Sequence, residues 1–450
     1  MSLRWRTLCA GLALLVVGCG VSLTLVSFQI TRDPDEDPFP GATDVLVAVR
    51  QDGVALPRAV ARTSLARGTF DTPTVPFGAG YTLRVDVLDG ELLLARGTSV
   101  AFAVSSAGDE SLPPVFVAPL GRFASVATRS APVPVAAALA GERVVLGNAD
   151  GSVSALALSD SSTEQQVAPA AGRRFVSLPG GLLAVAASEA LFVDDEVHVN
   201  NDPSLARHGA DALLVPVLPG DASEPCAYIV GGRSAPRALT RLCVTGGVLS
   251  ATAQPDLGQG GWGGLGAYVT LAGDERRIAW VAREDAGGVS TALTVLNPDA
   301  PAEVASAALD LPTTGAVVVP HGMGELLVIG GRTQGGVVLD QVARVVLQTG
   351  AGSPAVRAAP SPEPLFSARQ GARASWVADG IYLVYGGTNA SGVPVPRAEL
   401  VDVRSFPGSV APTGQLPTAD PLVVLPIDDH AQLAVSAAGV WRYASPRGFQ

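Results

Sequence analysis

The chain has 450 residues, of which 48% are hydrophobic and only 5% aromatic, with 51 Gly and 35 Pro. That length suits two or three domains, and valine-rich runs broken by Gly and Pro predict many short strands rather than long helices. The formal charge is −11, every basic side chain is Arg, and no basic cluster occurs, which argues against binding to a nucleic-acid backbone.

Arg4 and Arg6 precede an apolar run over residues 8–17, which ends in Leu15-Val16-Val17-Gly18-Cys19. This arrangement resembles the lipobox of bacterial lipoproteins. The resemblance implies a signal peptide over residues 1–18, lipidation of Cys19, and a membrane anchor made of acyl chains. Gly20 follows the cysteine where an inner-membrane retention signal would place Asp, so the expected location is the outer membrane, facing the periplasm or the cell surface. A second reading stays open. Residues 7–30 carry no charge and are long enough to cross a bilayer as an uncleaved helix. Ser22, Thr24, Ser27 and Gln29 nearly alternate with apolar residues there, as in a strand. Residues 19–42 are expected to form the tether, with the acidic stretch 33–38 as a solvated linker.

Residues 43–118 carry runs that read as strands, at 45–49, 81–87, 100–104 and 115–117. Leu83, Val85 and Val87 fall on one face, and Thr82, Arg84 and Asp86 on the other, the pattern of a half-buried strand. Turns are expected at Asp52-Gly53, Gly78-Ala79-Gly80 and Asp89-Gly90. The expectation is a small β-sandwich, immunoglobulin-like in outline.

From residue 121 to 450 one unit recurs. Its clearest copy has a strand at 372–377, a turn at Asp379-Gly380, a strand at 381–385 ending in Gly386-Gly387, a loop, and a strand at 398–403. Other copies keep Gly330-Gly331, Gly231-Gly232 and Gly287-Gly288. This order resembles the kelch repeat and implies a β-propeller. Middle-strand anchors fall near Val144, Leu183, Ile229, Ile278, Leu327, Leu383 and Leu433, and so predict six or seven blades. The paired glycines are expected where backbones approach closely at the central end of a blade.

Outside the N-terminal segment only Cys226 and Cys243 remain. They lie symmetrically about a loop centred near Ser234-Ala235, so a hairpin would bring them face to face in a disulfide. The four histidines, His198, His208, His321 and His430, show no metal-ligand spacing with one another, and His321 and His430 fall at expected turns. Asp194-Asp195-Glu196 reads as a turn within a blade. No nucleophile elbow, phosphate-binding loop or zinc-protease motif occurs. The expected function is therefore a non-catalytic binding module for protein or glycan ligands, without cofactor or metal. Recognition is expected on the loops 332–336 and 388–397, with Arg332, Thr333, Gln334, Thr388, Asn389 and Arg397 as candidate contacts. The competing expectation is a glycan-processing hydrolase, lyase or isomerase with its site at the channel of the propeller.

Overall fold

The computed structural model describes residues 23–446, apart from 53, 55, 68–72, 106–112, 160, 162–163, 209–211, 218–223, 233, 258–264, 271–275, 282–291, 303, 309–313, 334, 349–354, 360–362 and 406–407. Cys19, Gln334, Gly53 and the Gly287-Gly288 pair lie outside the described residues.

The N-terminal part contains β1 (Leu23–Leu25), β2 (Gln29–Arg32), β3 (Asp44–Gln51), β4 (Ala59–Ser64), β5 (Thr74–Pro76), β6 (Gly78–Asp89), β7 (Leu92–Ser99), β8 (Phe102–Val104) and β9 (Pro114–Pro119). One seven-stranded sheet runs β2-β9-β7-β6-β3-β4, with β8 also on β6, while β1 and β5 form a separate two-stranded ribbon. Val45, Val47, Val49, Leu83, Val85 and Val87 alternate inward and meet Val26 and Val75 from the ribbon side in one core.

Three details differ from the sequence reading. The tether segment supplies β1 and β2, and β2 pairs with β9 in parallel. Within the acidic stretch Asp33 is buried, and its carboxylate accepts hydrogen bonds from the Asp35 and Ser125 amides. Gly78-Ala79-Gly80 lies inside β6 as a register irregularity against β8 rather than as a turn. The turn at Asp89-Gly90 does form.

The remaining chain forms a β-propeller. Among the described residues there are seven four-stranded antiparallel sheets. Blades 1 to 6 span residues 134–168, 174–200, 213–254, 265–308, 316–359 and 370–415. Blade 7 takes its inner three strands from Leu422–Asp428, Ala431–Ser436 and Gly439–Ala444, and its outer strand from β10 (Phe123–Thr128). The inner strands of successive blades neighbour one another in a closed circuit, the seventh returning to the first. All seven anchor residues sit on the second strand of a blade, and all are fully buried. Burying each such aliphatic side chain contributes roughly 1.5–3 kcal/mol. This regular burial explains why the blades are legible in a chain so poor in aromatic residues.

Cys226 and Cys243 are directly opposite in register on neighbouring strands of blade 3 and form a disulfide, 17 residues apart in sequence. Closing a loop of that length restricts the unfolded chain by roughly 3 kcal/mol.

Candidate ligand-binding face

Each blade runs inner strand, turn, second strand, loop, third strand, turn, outer strand. Antiparallel order therefore puts the loops between second and third strands on one face, together with the crossings between blades. The two kinds of tight turn fall on the other face.

The turn face is partly occupied by the N-terminal sheet. Thr98 donates to the Asp428 carboxylate in the first turn of blade 7 (3.1 Å), and Arg50 lies 3.9 Å from Asp429. Behind Thr98, the Asp86 carboxylate accepts from Arg96 (2.7 Å) and Arg84 (2.9 Å). Burial alone would raise the Asp86 pKa. The two guanidinium groups outweigh it and hold the carboxyl below its usual range. The polar side of β6 is thus a docking surface rather than a solvated one.

The loop face is built by the paired glycines. Gly231, Gly232, Gly330, Gly331, Gly386 and Gly387 all have positive φ. A Cβ on Gly232 would stand 1.7 Å from the His208 carbonyl oxygen, and one on Gly387 2.7 Å from that of Gln370. The close approach is to the segment entering the inner strand of the same blade, at one end of the blade and not along the channel.

After their glycine pairs, blades 5 and 6 carry the same turn. Arg332 bridges Val338, and Thr388 bridges Pro394. The Thr333 amide donates to the Val337 carbonyl, and the Asn389 amide to that of Val393, both at 2.9 Å. The Gly336 and Gly392 amides donate back to Thr333 and Asn389, both at 3.0 Å. The Val337 and Val393 amides each donate to the side chain that opens the turn, Thr333 Oγ1 and Asn389 Oδ1, both at 3.1 Å. Two loops of different sequence therefore share one backbone. The side-chain oxygens of Thr333 and Asn389 are engaged in shaping it. Each loop also presents a valine outward: Val337 is 60% exposed and Val393 55%. Phe366, on the crossing between the two blades, is 67% exposed. The sequence reading missed these three, although an apolar residue inside a polar loop is a visible signal. Arg397 is exposed at the end of the second loop.

This surface stands on a buried pin. Arg369 is fully buried, pairs with Glu399, and donates to the carbonyls of Gly386 (3.3 Å) and Arg397 (3.2 Å). Glu399 in turn accepts from the Phe366 (2.6 Å) and Ser367 (3.2 Å) amides, which fixes the crossing. In blade 3, His208 takes the equivalent place. Its Nδ1–H donates to the Gly231 carbonyl (2.9 Å), so Nε2 accepts from Thr240 Oγ1 (2.7 Å), which itself accepts from Arg207 (2.8 Å). This is a neutral imidazole.

At the loop-face mouth of the channel, Arg373 reaches across to the carbonyls of Val135 (3.2 Å) and Leu422 (3.4 Å), and Arg174 bonds the carbonyl of Ala212. On the turn face the fold assembles a group that sequence spacing did not reveal. His321 Nδ1 lies 3.1 Å from the Tyr382 hydroxyl, which donates to the Pro320 carbonyl (2.9 Å). Glu325, 3.9 Å from the same imidazole, is held by Arg344 through two bonds of 2.7 Å. These groups satisfy one another. The acidic triplet forms the expected turn between two strands, and across it Asp194 lies 3.0 Å from His198, a contact the sequence reading did not include. Among the described residues no three His, Cys, Asp or Glu side chains form a metal-binding group.

No protein-family model matches the chain, and no curated protein matches it. Solved structures similar to it include a chain of RAG in complex with one melted and one unmelted RSS, at 12% identity and TM-score 0.43, over 62% of this chain and 95% of that one. Another is YjhT, at 11% identity and TM-score 0.37, over 50% of this chain and 71% of that one.

The buried histidines make stability depend on pH. Burial pushes the pKa of His208 and of His430 down to about 4. In the unfolded chain both titrate near 6.5. Between these values the unfolded state takes up protons that the folded state refuses, so stability is full above about pH 6.5 and falls as pH drops towards 4. The loss reaches roughly 3 kcal/mol per imidazole. His208→Gln keeps a donor and an acceptor but removes the titration. Its melting temperature should fall less than that of the parent between pH 7.5 and 4.5. An unchanged slope would refute the assignment.

Proposed function

We propose that the protein is a kelch-like propeller acting as a non-catalytic binding module, tethered to the outer membrane through a lipidated Cys19. It recognises a protein or glycan ligand on the loop face of blades 5 and 6. The observation that carries this reading is the trio Val337, Phe366 and Val393. These apolar side chains are exposed on adjacent blades, over a rigid base, on the face turned away from the N-terminal sheet. Exposed apolar groups on a preorganised frame are what an interaction surface requires, because little ordering entropy is lost on binding. Arg332 and Arg397 at the rim supply polar selectivity. The β1–β2 segment sits in the N-terminal core, so the module would face away from its anchor. The rival reading, a glycan-processing enzyme, gains little from the His321–Tyr382 group, whose polar atoms already bond one another.

Glycan-array and pull-down screens identify the ligand. Val337→Asp together with Val393→Asp should weaken its capture by at least about tenfold. Val248→Asp, at an exposed apolar site that opens the outer strand of blade 3 next to a turn on the opposite face, should not. Capture that survives the double change but is lost with Val248→Asp would move the site to the turn face. Turnover of a glycan would replace the binding reading with the enzyme.

The anchor has its own test. Cys19→Ser should abolish acyl labelling and leave residues 1–18 attached. Persistent labelling, or a native N-terminus that retains those residues, would reject lipidation.

A further inference from the structure

We propose that a cleft between the N-terminal segment and the outer edge of blade 6 binds an acidic saccharide, a pyranose carrying a carboxylate. This site shares Arg397 with the rim of the loop-face surface but stands without that reading.

The cleft has a volume of about 550 Å³ and is lined by Glu36, Arg122, Phe123, Arg397, Thr413 and Gln415, among others. That volume holds one or two sugar rings, within the range of small-molecule sites. Arg397 and Gln415 are paired in register on the third and outer strands of blade 6, both exposed, and stand side by side on the floor. Arg397 makes no side-chain hydrogen bond or ion pair among the described residues, so its guanidinium is available for a carboxylate.

The opposite wall carries the second requirement. Arg122 Nη1 lies 3.5 Å from Glu36 Oε1, so this pair is neutral and leaves Arg397 as the net charge of the cleft. Glu36 Oε2 is shielded from solvent and accepts no hydrogen bond among the described residues. The side chain is 36% exposed, so a ligand hydroxyl meets the carboxylate at Oε1, which also accepts no hydrogen bond among the described residues. The Phe123 ring lines the same cleft and is held against Tyr443 at a centroid distance of 4.9 Å, offering an apolar surface to the C–H face of a pyranose. Thr413 is engaged by the Tyr443 hydroxyl (2.7 Å) and braces the wall.

These demands select the ligand class. A neutral sugar would leave Arg397 unmatched. A simple carboxylate or a phosphate would leave Glu36 and Phe123 unmatched. A uronate meets all three. The cleft exists only while the N-terminal segment is docked, because Glu36 follows Asp33, which bonds the Ser125 amide.

Isothermal titration with galacturonate, galactose and inorganic phosphate tests the site in the full chain. Galacturonate should bind at least about tenfold more tightly than either of the others. Arg397→Gln and Glu36→Leu should each weaken it by about tenfold or more. Arg397→Gln, at an exposed position, should leave the melting temperature unchanged, and Val337→Asp on the distant loop should bind galacturonate like the parent. The proposal is overturned by galacturonate failing to bind at about 10 mM, by galactose or phosphate binding equally well, or by Arg397→Gln without effect.

Discussion

The fold depends on one antiparallel pairing, that of β10 with the third strand of blade 7. Phe123 stands opposite Tyr443, and Thr128 opposite Gly439. The strand that completes the last blade thus comes from the far end of the propeller sequence, and the ring closes through hydrogen bonds rather than through the chain. Six blades close their own sheets locally. The seventh cannot, so the stability of the whole circuit rests on this seam. The chain reinforces it from outside. Leu120 bridges Ala444, the Gly121 amide donates to the Ala444 carbonyl, and the buried Asp33 carboxylate accepts from Ser125 within β10.

The N-terminal sheet follows from the same constraint. Since β9 leads directly into β10, the sheet must lie at the seam, and its polar side meets blade 7 there. Arg84 and Arg96 hold Asp86 within the sheet, and beside them Thr98 crosses the contact to Asp428, whose charge also acts on Arg96. Buried ion pairs of this kind add little net stability compared with apolar packing. Orientation is set by the bond that crosses, because a shifted dock would leave the Asp428 carboxylate without Thr98. The consequence for function is geometric. The N-terminal sheet takes the turn face beside blade 7, while the loop face is pinned by Arg369–Glu399 and His208–Thr240.

Much of this was legible in the residues. The seven second-strand anchors were recognisable because each is a short aliphatic run of fixed character, and burial of both blade faces demands that character in every copy. The Cys226–Cys243 pairing was legible because hairpin symmetry alone sets the register. The positions that escaped share one feature, a partner far away in sequence. Asp33 looked like linker because Ser125 is remote. Asp86 looked solvated because Arg96 and the propeller cover it only in three dimensions. Tyr382 and His321 meet across two blades with nothing local to announce it. The loops at 332–338 and 388–394 escaped differently: Thr333 and Asn389 both cap the same turn, so different letters conceal one shape.

The central claim is that β10 and the propeller form a single cooperative unit. Hydrogen exchange of the backbone amides under native conditions tests it most directly. The account predicts that the amides of Phe123–Thr128 exchange as slowly as those of Ala431–Ser436 in the middle of the same blade, and that both are released together in mild denaturant. Fast exchange of β10 while Ala431–Ser436 stays protected would show a propeller that stands without its first strand, and would contradict it.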